Sequence, residues 1–446
     1  MSAVRPTGRI ARHAASILVG QVAAIGYTVA DTVMTGRHDS TDLAALSIGS
    51  AVYICIYIAL TGVLQALIPV VGHHHGAGDS NGVRLGFQQS VWLALLIALP
   101  GMAVLLFPGF ALAWARTDVA VLERVQAYLG WIAWSLPAGL LFRVYSGLNQ
   151  GLSRPLLVTA LQLMALALKL PLNAWLIFGG AGVPALGVAG CALATLIVQC
   201  ALAGVAALML MRHPAYRTLR LFSDWSRPRW TLQRELLRLG LPSGAALFFE
   251  VTGFALMAVF IARLGTTPLA GHQIAANVAS VLYMLPLSIG IATGALASQA
   301  LGAGDRLQAR RICKHGLALA LALAALLGGA MALMRGPLVR AYSSDAAVQA
   351  MAAQLLLFVA SFALRAYRIA LLPALSYATG LWGIGLAGGA FLAFDPPPAW
   401  PAALSGPAAF WLANLAALSL VGALLLALLQ RVSAVAPRTA ASLASP

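Results

Sequence analysis

Gly76-Ala77-Gly78-Asp79 returns 226 residues later as Gly302-Ala303-Gly304-Asp305. At the same offset Leu43, Ala44, Ile48 and Val52 meet Leu269, Ala270, Ile274 and Val278, and Arg37 meets Arg263. Identity at one fixed shift, with one tetrapeptide closing the second apolar run of each half, is hard to obtain from composition bias alone and marks a duplication. Each copy holds six apolar runs. Six is even, so both copies enter a membrane in the same direction, and a pseudo-twofold axis along the membrane normal is expected to relate them.

The composition around these motifs sets the solvent. Of 446 residues 61% are hydrophobic and 9% charged, with a mean hydropathy of +0.88. Soluble domains sit near ~45–50% apolar and ~25% charged, so the chain reads as an all-α polytopic membrane protein in contact with a lipid bilayer. Runs of the roughly 20 residues needed to span lipid cover 13–36, 46–71, 87–110, 125–147, 155–178, 186–211, 241–262, 274–296, 316–334, 346–364, 369–394 and 408–429, twelve in all. The first follows Arg5, Arg9, Arg12 and His13 with no small-residue cleavage pattern, so it reads as a retained span and not a signal peptide.

Charge sets the orientation. Lys and Arg number 28 against 12 Asp and Glu, a net +16. With the N-terminus inside, 21 basic residues fall on the cytoplasmic side, six outside, and Lys169 within a span. The positive-inside rule then gives N-in, C-in, and accounts for the basic excess without nucleic acid. The densest block, 212–238, carries seven Arg against Asp224 and Glu235 and reads as the cytoplasmic linker between an N-lobe, 1–211, and a C-lobe, 239–430, with a cytoplasmic tail over 431–446. The copies are unequal. Asp118 meets Asp345 at 227, but Leu156-Leu157 meets Leu371-Leu372 at 215, so the second half lacks 227 − 215 = 12 residues around its fourth span. The tenth span, 346–364, is therefore expected to be truncated.

Chemistry at membrane depth is sparse. A charge at the centre of a span costs roughly 2.5–3.5 kcal/mol on insertion scales, and only Asp31 and Glu250 among the acids fall inside runs. Asn173 follows Lys169 by one helical turn, on the same face, and Asp31 is the candidate partner for Lys169. Tyr27, Gln162 and Thr195 add polar groups to the first half, Gln273 and Asn277 to the second; all of these also suit plain helix–helix hydrogen bonding. His73-His74-His75 diverge by about 100° per residue and read as a solvated turn, so no metal site is expected. Cys55, Cys191, Cys200 and Cys313 show neither zinc nor disulfide spacing. The chain has no P-loop and no triad or kinase motif, so no enzyme and no cofactor is expected, and energy has to come from an ion gradient or from nothing.

Five strings resemble the multidrug and toxic-compound extrusion (MATE) family in its NorM-like bacterial branch. They are Val29-Ala30-Asp31-Thr32-Val33-Met34-Thr35-Gly36-Arg37, the two Gly-Ala-Gly-Asp tetrapeptides, Lys169-Leu170-Pro171-Leu172-Asn173, and Gly271-His272-Gln273-Ile274-Ala275-Ala276-Asn277. The resemblance implies twelve helices in two six-helix lobes around a cleft, and a secondary antiporter of the bacterial inner membrane, a monomer, exporting small organic cations such as dyes and drugs against H⁺ or Na⁺. It implies that Asp31, with Lys169, Asn173 and Thr195, is the N-lobe proton and substrate site. Glu250 corresponds to the C-lobe cation carboxylate, whose family partner is an aspartate on span ten. No acid stands between Asp345 and Asp395 here, so Na⁺ at Glu250 is expected to bind weakly. Two rival readings are a lipid-linked oligosaccharide flippase of the same superfamily and a non-transporting remnant disabled by the deletion.

Overall fold

The structure is a computed structural model describing residues 6–109, 118–180, 182–363, 378–397, 400–401 and 404–435. Its helices are α1 (Pro6–His38), α2 (Ser40–Leu64), α3 (Leu67–Gly76), α4 (Ser80–Leu106), α5 (Val119–Ala133), α6 (Ser135–Gly151), α7 (Pro155–Phe178) and α8 (Gly187–Arg212). After a 3-10 turn at Pro214–Leu219 come α9 (Trp230–Ala262), α10 (Thr266–Gly302), α11 (Arg306–Tyr342) and α12 (Ala346–Ala363). A π-helical stretch Ala378–Gly388 leads into α13 (Gly389–Phe394), and α14 (Pro407–Val435) follows. Among the described residues eight segments are long and apolar enough to cross a membrane, α5 and α6 form a ninth bent by 44°, and three shorter apolar helices follow. Twelve apolar segments in all are consistent with the twelve spans that the hydropathy predicts. The bend has a local cause: Pro137 has no N–H to give the carbonyl of Ala133, so the helix breaks at Trp134. The dozen residues missing from the second half fall between Asp345 and Leu371; the tenth run is there the short helix α12, Ala346–Ala363, of 18 residues, and 364–377 lie outside the described residues.

Contacts divide the chain into two compact units, one of 1–247 with 291–316, the other of 248–290 with 317–446. In the first, α1 packs along α7, α7 on α8, and α2 on α5, around fully buried Leu64, Leu67, Leu129, Leu136 and Leu140. Lipid is as apolar as leucine, so close packing and not dehydration holds these helices together. Glycine supplies the closeness: a Cβ on Gly62 would lie 2.5 Å from the Cα of Gly244, and one on Gly240 would lie 2.1 Å from the carbonyl oxygen of Val63. The second unit is built on Met257, Ile261, Leu355, Leu356 and Phe410, with Trp411 between Phe254 and the buried His272.

Both copies of the opening tetrapeptide perform the same backbone task. Gly78 and Gly304 take positive φ, 73° and 79°, which ends the preceding helix and turns the chain. Asp79 then caps α4 by accepting from the Gly82 N–H at 2.8 Å, and Asp305 caps α11 by accepting from the Gln308 N–H at 2.8 Å. The Gly82 N–H, and after it the His74 ring, hold the Asp79 carboxyl below its ordinary value of 3.8. Because the folded value is the lower one, the cap contributes fully above that ordinary value and loses its contribution as pH falls through the depressed one. Asp79→Ala and Asp305→Ala should each cost about 0.5–2 kcal/mol, read as a lower unfolding midpoint in detergent; an unchanged midpoint would deny the caps a role in stability.

The two turns also meet. A Cβ on Gly76 would lie 1.9 Å from the carbonyl oxygen of Gln299, and a Cβ on Gly302 would lie 1.9 Å from that of His73. His73 and Gln299 are separated by the same 226 residues as Gly76 and Gly302, so the contact is reciprocal, as a local twofold requires. Gly72 against the Cβ of Ser298, 3.0 Å from its own added Cβ, lies at the centre of that relation.

Of the stretch 212–238, the part from Trp230 onward is helical and continues into the membrane. The part before it is fastened to α4. Gln88 donates to the carbonyls of Leu221 and Ser223 and accepts from the Ser226 N–H. Gln89 donates to Ser226 and Arg227 and accepts from the Arg229 N–H, while Arg84 pairs with Asp224 at 2.8 Å. Both glutamines are fully buried. Exchanging Gln88 for Leu leaves several backbone groups of the linker without partners, at ~1–3 kcal/mol each where water cannot reach them. Limited proteolysis between Leu221 and Arg229 should then become faster; an unchanged cleavage rate would show that the linker is held by other means.

Candidate functional site

Three helices of the first unit carry polar side chains one turn apart. These are Tyr27 and Asp31 on α1, Lys169 and Asn173 on α7, and Cys191 and Thr195 on α8. The packing of α7 between α1 and α8 brings them together. The Lys169 ammonium donates to Oδ2 of Asp31 at 2.8 Å, and the Asn173 amide donates to Oδ1 at 2.7 Å, so both carboxylate oxygens are engaged. Lys169 also donates to the Thr195 hydroxyl at 2.8 Å, and that hydroxyl donates to the carbonyl of Cys191 at 3.0 Å. The ammonium lies 5.7 Å from the centre of the Tyr27 ring, within range of cation–π attraction. The Tyr27 hydroxyl donates to the backbone carbonyl of Gln162 at 2.6 Å.

The side chains of Lys169 and Asp31 retain 4% and 15% of their exposure, and Asn173 retains none. The pairing anticipated from charge depth is therefore present, with Tyr27, Asn173 and Thr195 around it. Removing one partner of a buried ion pair is far costlier than replacing both, which ties the state of Asp31 to the position of Lys169. Two buried acceptors at the site, Oδ1 of Asn173 and Oγ1 of Thr35, make no hydrogen bond among the described residues. They are places where a small polar group could be received.

Gln162 takes part through its backbone, while its amide side chain lies against Gly20, where an added Cβ would fall 2.1 Å from its Oε1. Glu250, Gln273 and Asn277 lie in the second unit. Glu250 is half-buried on α9, one residue beyond Phe249, whose ring packs edge-on to Trp382 at 5.4 Å. Gln273 and Asn277 share one exposed face of α10. His74 accompanies Asp79 at 2.9 Å at the α3 turn, and no group of three or more His, Cys, Asp or Glu suited to a metal ion occurs among the described residues.

One cation escaped the sequence reading. Arg143 falls inside the fourth run, 125–147, four residues before its end, yet is counted there with the cytoplasmic basic residues; it lies well inside α6, which continues to Gly151. At a rise of 1.5 Å per residue it is about 12 Å from the helix end. Lys169 is therefore not the only cation inside a span.

The sequence model of the MatE family matches residues 16–175 and 242–372. The chain belongs to the MatE family. The two matched segments of this MatE protein begin at 16 and 242, the same 226-residue offset that relates the tetrapeptides. A probable multidrug resistance protein NorM of Aromatoleum aromaticum is 40% identical over 402 residues, covering 87% of each chain. Another, of Chromobacterium violaceum, is 35% identical over 444 residues, covering 95% of this chain and 94% of its own. Among solved structures, the eukaryotic MATE transporter AtDTX14 superposes with a TM-score of 0.79 at 18% identity, over 96% of this chain and 95% of that one. An outward-facing multidrug resistance MATE family transporter of the MOP superfamily superposes at 0.81 with 16% identity, over 96% of both chains. These two likenesses establish the fold, a MATE-type, multi-pass, all-helical membrane protein.

Proposed function

We propose that the protein is a proton-coupled multidrug exporter of the bacterial inner membrane, with both termini cytoplasmic, working as a monomer on small organic cations. The observation that carries this reading is the buried Asp31–Lys169 pair held by Asn173 and Thr195. A proton on Asp31 cancels the charge that holds Lys169. An organic cation approaching the carboxylate has to displace the same ammonium, and the Tyr27 face that Lys169 vacates offers the incoming cation a π surface. Proton and substrate thus exclude one another at one carboxylate. The exchange of one for the other biases two access states in opposite directions. The 31–40% identity to NorM multidrug resistance proteins over most of the chain supports the substrate class.

Sodium coupling at Glu250 is the weaker alternative, because a dehydrated cation wants several oxygens and the span-ten stretch supplies no second acid. The test is ethidium efflux from an efflux-deficient bacterium expressing the chain, challenged in turn with a pH jump and a sodium jump. A response to pH and little to sodium is expected, with Glu250→Gln changing little. Strong sodium-driven efflux abolished by Glu250→Gln would move the coupling site to the second unit, and no efflux under either gradient would support the disabled-remnant reading.

A further inference from the structure

The mechanism leaves Arg143 unused. Its guanidinium is charged at any accessible pH, it is half-buried, and none of the ion pairs among the described residues includes it. The deep carboxylate of the same unit, Asp31, is already taken by Lys169 and Asn173. A cation kept inside a membrane helix without a partner is costly and points to a ligand or a path. Arg143 lines a small cavity between α1, α6 and α7 together with Gln21, Ser146, Gln150, Thr159 and Gln162. Every polar group there is an amide or hydroxyl, and none is an acid.

Gln150 adds a second pointer. Its Nε2 donates to the Ser146 hydroxyl at 3.0 Å, while its buried Oε1 has no hydrogen-bond partner among the described residues. The two ends of a glutamine amide exchange places without change of shape. Turned over, Gln150 accepts from Ser146 and presents its NH₂ to the cavity beside Arg143. A cation flanked by rotatable amides, with no carboxylate, is chemistry for an oxyanion.

We propose that Arg143, with Gln21, Gln150 and Gln162, forms an anion subsite that receives the carboxylate of zwitterionic substrates whose amine end goes to Asp31. The inference rests on the exporter reading above and extends it to a class of substrate. Gln162 precedes Lys169 by seven residues on α7, about 10 Å along the helix. The Tyr27 hydroxyl, bonded to the Gln162 carbonyl, spans the interval. The cavity as it stands has room for about one water molecule, so its amide side chains have to turn to admit a carboxylate, and the body of the ligand stays along Tyr27.

Rhodamine B and its methyl ester separate the two ends of such a ligand, because they share the dye cation and differ in the free carboxylate. Their binding to the purified full-length protein, followed by fluorescence polarisation, should show Arg143→Gln weakening rhodamine B at least tenfold and leaving the ester within twofold. Arg143→Lys should fall between wild type and Arg143→Gln for the acid, and Asp31→Asn should weaken both dyes. Equal affinity of the wild type for acid and ester, or equal loss of both in Arg143→Gln, overturns the subsite. If the ester binds and the acid does not, only the subsite fails. If neither dye binds the wild type, the exporter reading fails with it. Ester binding is the folding control, and Arg143→Lys carries the test should Arg143→Gln not fold.

Discussion

Lys169→Met should destabilise the purified protein by about 3–5 kcal/mol, and the double variant Lys169→Met with Asp31→Asn should regain most of that loss. The single substitution leaves the Asp31 carboxylate deep in the first unit with Asn173 as its remaining donor. The double substitution removes both charges and leaves an amide that the Asn173 and Thr195 groups can still satisfy. Unfolding followed by intrinsic fluorescence in detergent gives the four corners of the cycle, and the quantity of interest is the non-additivity. Additive losses would mean that the two side chains do not stabilise one another. Transport should be lost in both singles, since either change breaks the competition between ammonium and incoming cation.

Gly76→Val and Gly302→Val should be equally damaging. Each added Cβ meets a backbone carbonyl oxygen at 1.9 Å, of Gln299 and His73 respectively, and backbone cannot rotate away as a side-chain tip can. Overpacking of this kind costs typically ~1–3 kcal/mol, and here the strain falls on the turns where α3 and α10 end. Gln299 is further anchored by its amide, which donates to the Gly151 carbonyl at 2.6 Å and the Ser153 hydroxyl at 2.8 Å, so relief by shifting that strand of contacts is limited. Ethidium efflux and the unfolding midpoint should fall together, and alike, in both variants. A harmless Gly302→Val beside a crippled Gly76→Val would show that the reciprocity has no functional weight.

Much of this arrangement is readable from the chain because membranes make charge expensive. Two deep acids and one deep lysine stand out against a background that is 61% hydrophobic, and the pairing of Asp31 with Lys169 follows from depth and helical spacing. The spans follow from length, and the duplication from a fixed offset. What escaped was whatever depends on who faces whom. Arg143 was counted with the loop residues although the fourth run, 125–147, includes it, and the helix runs on to Gly151. Gln162 was read by its side chain, yet it reaches the site through its carbonyl. The repeated tetrapeptides announced two equal turns without saying that they touch, since an offset in sequence carries no information about contact. Gln88 and Gln89 gave no signal at all; their partners are backbone groups over 130 residues away, and backbone has no sequence signature.

The central claim is that the Asp31 carboxylate is where proton and substrate exclude one another. The most direct measurement is ethidium movement into proteoliposomes under an imposed pH gradient, without sodium, for the wild-type chain and for Asp31→Asn reconstituted at matched protein density. The wild type should move ethidium in proportion to the gradient, and Asp31→Asn should show none while retaining the elution profile of the folded protein. Undiminished gradient-driven transport by Asp31→Asn would contradict the account.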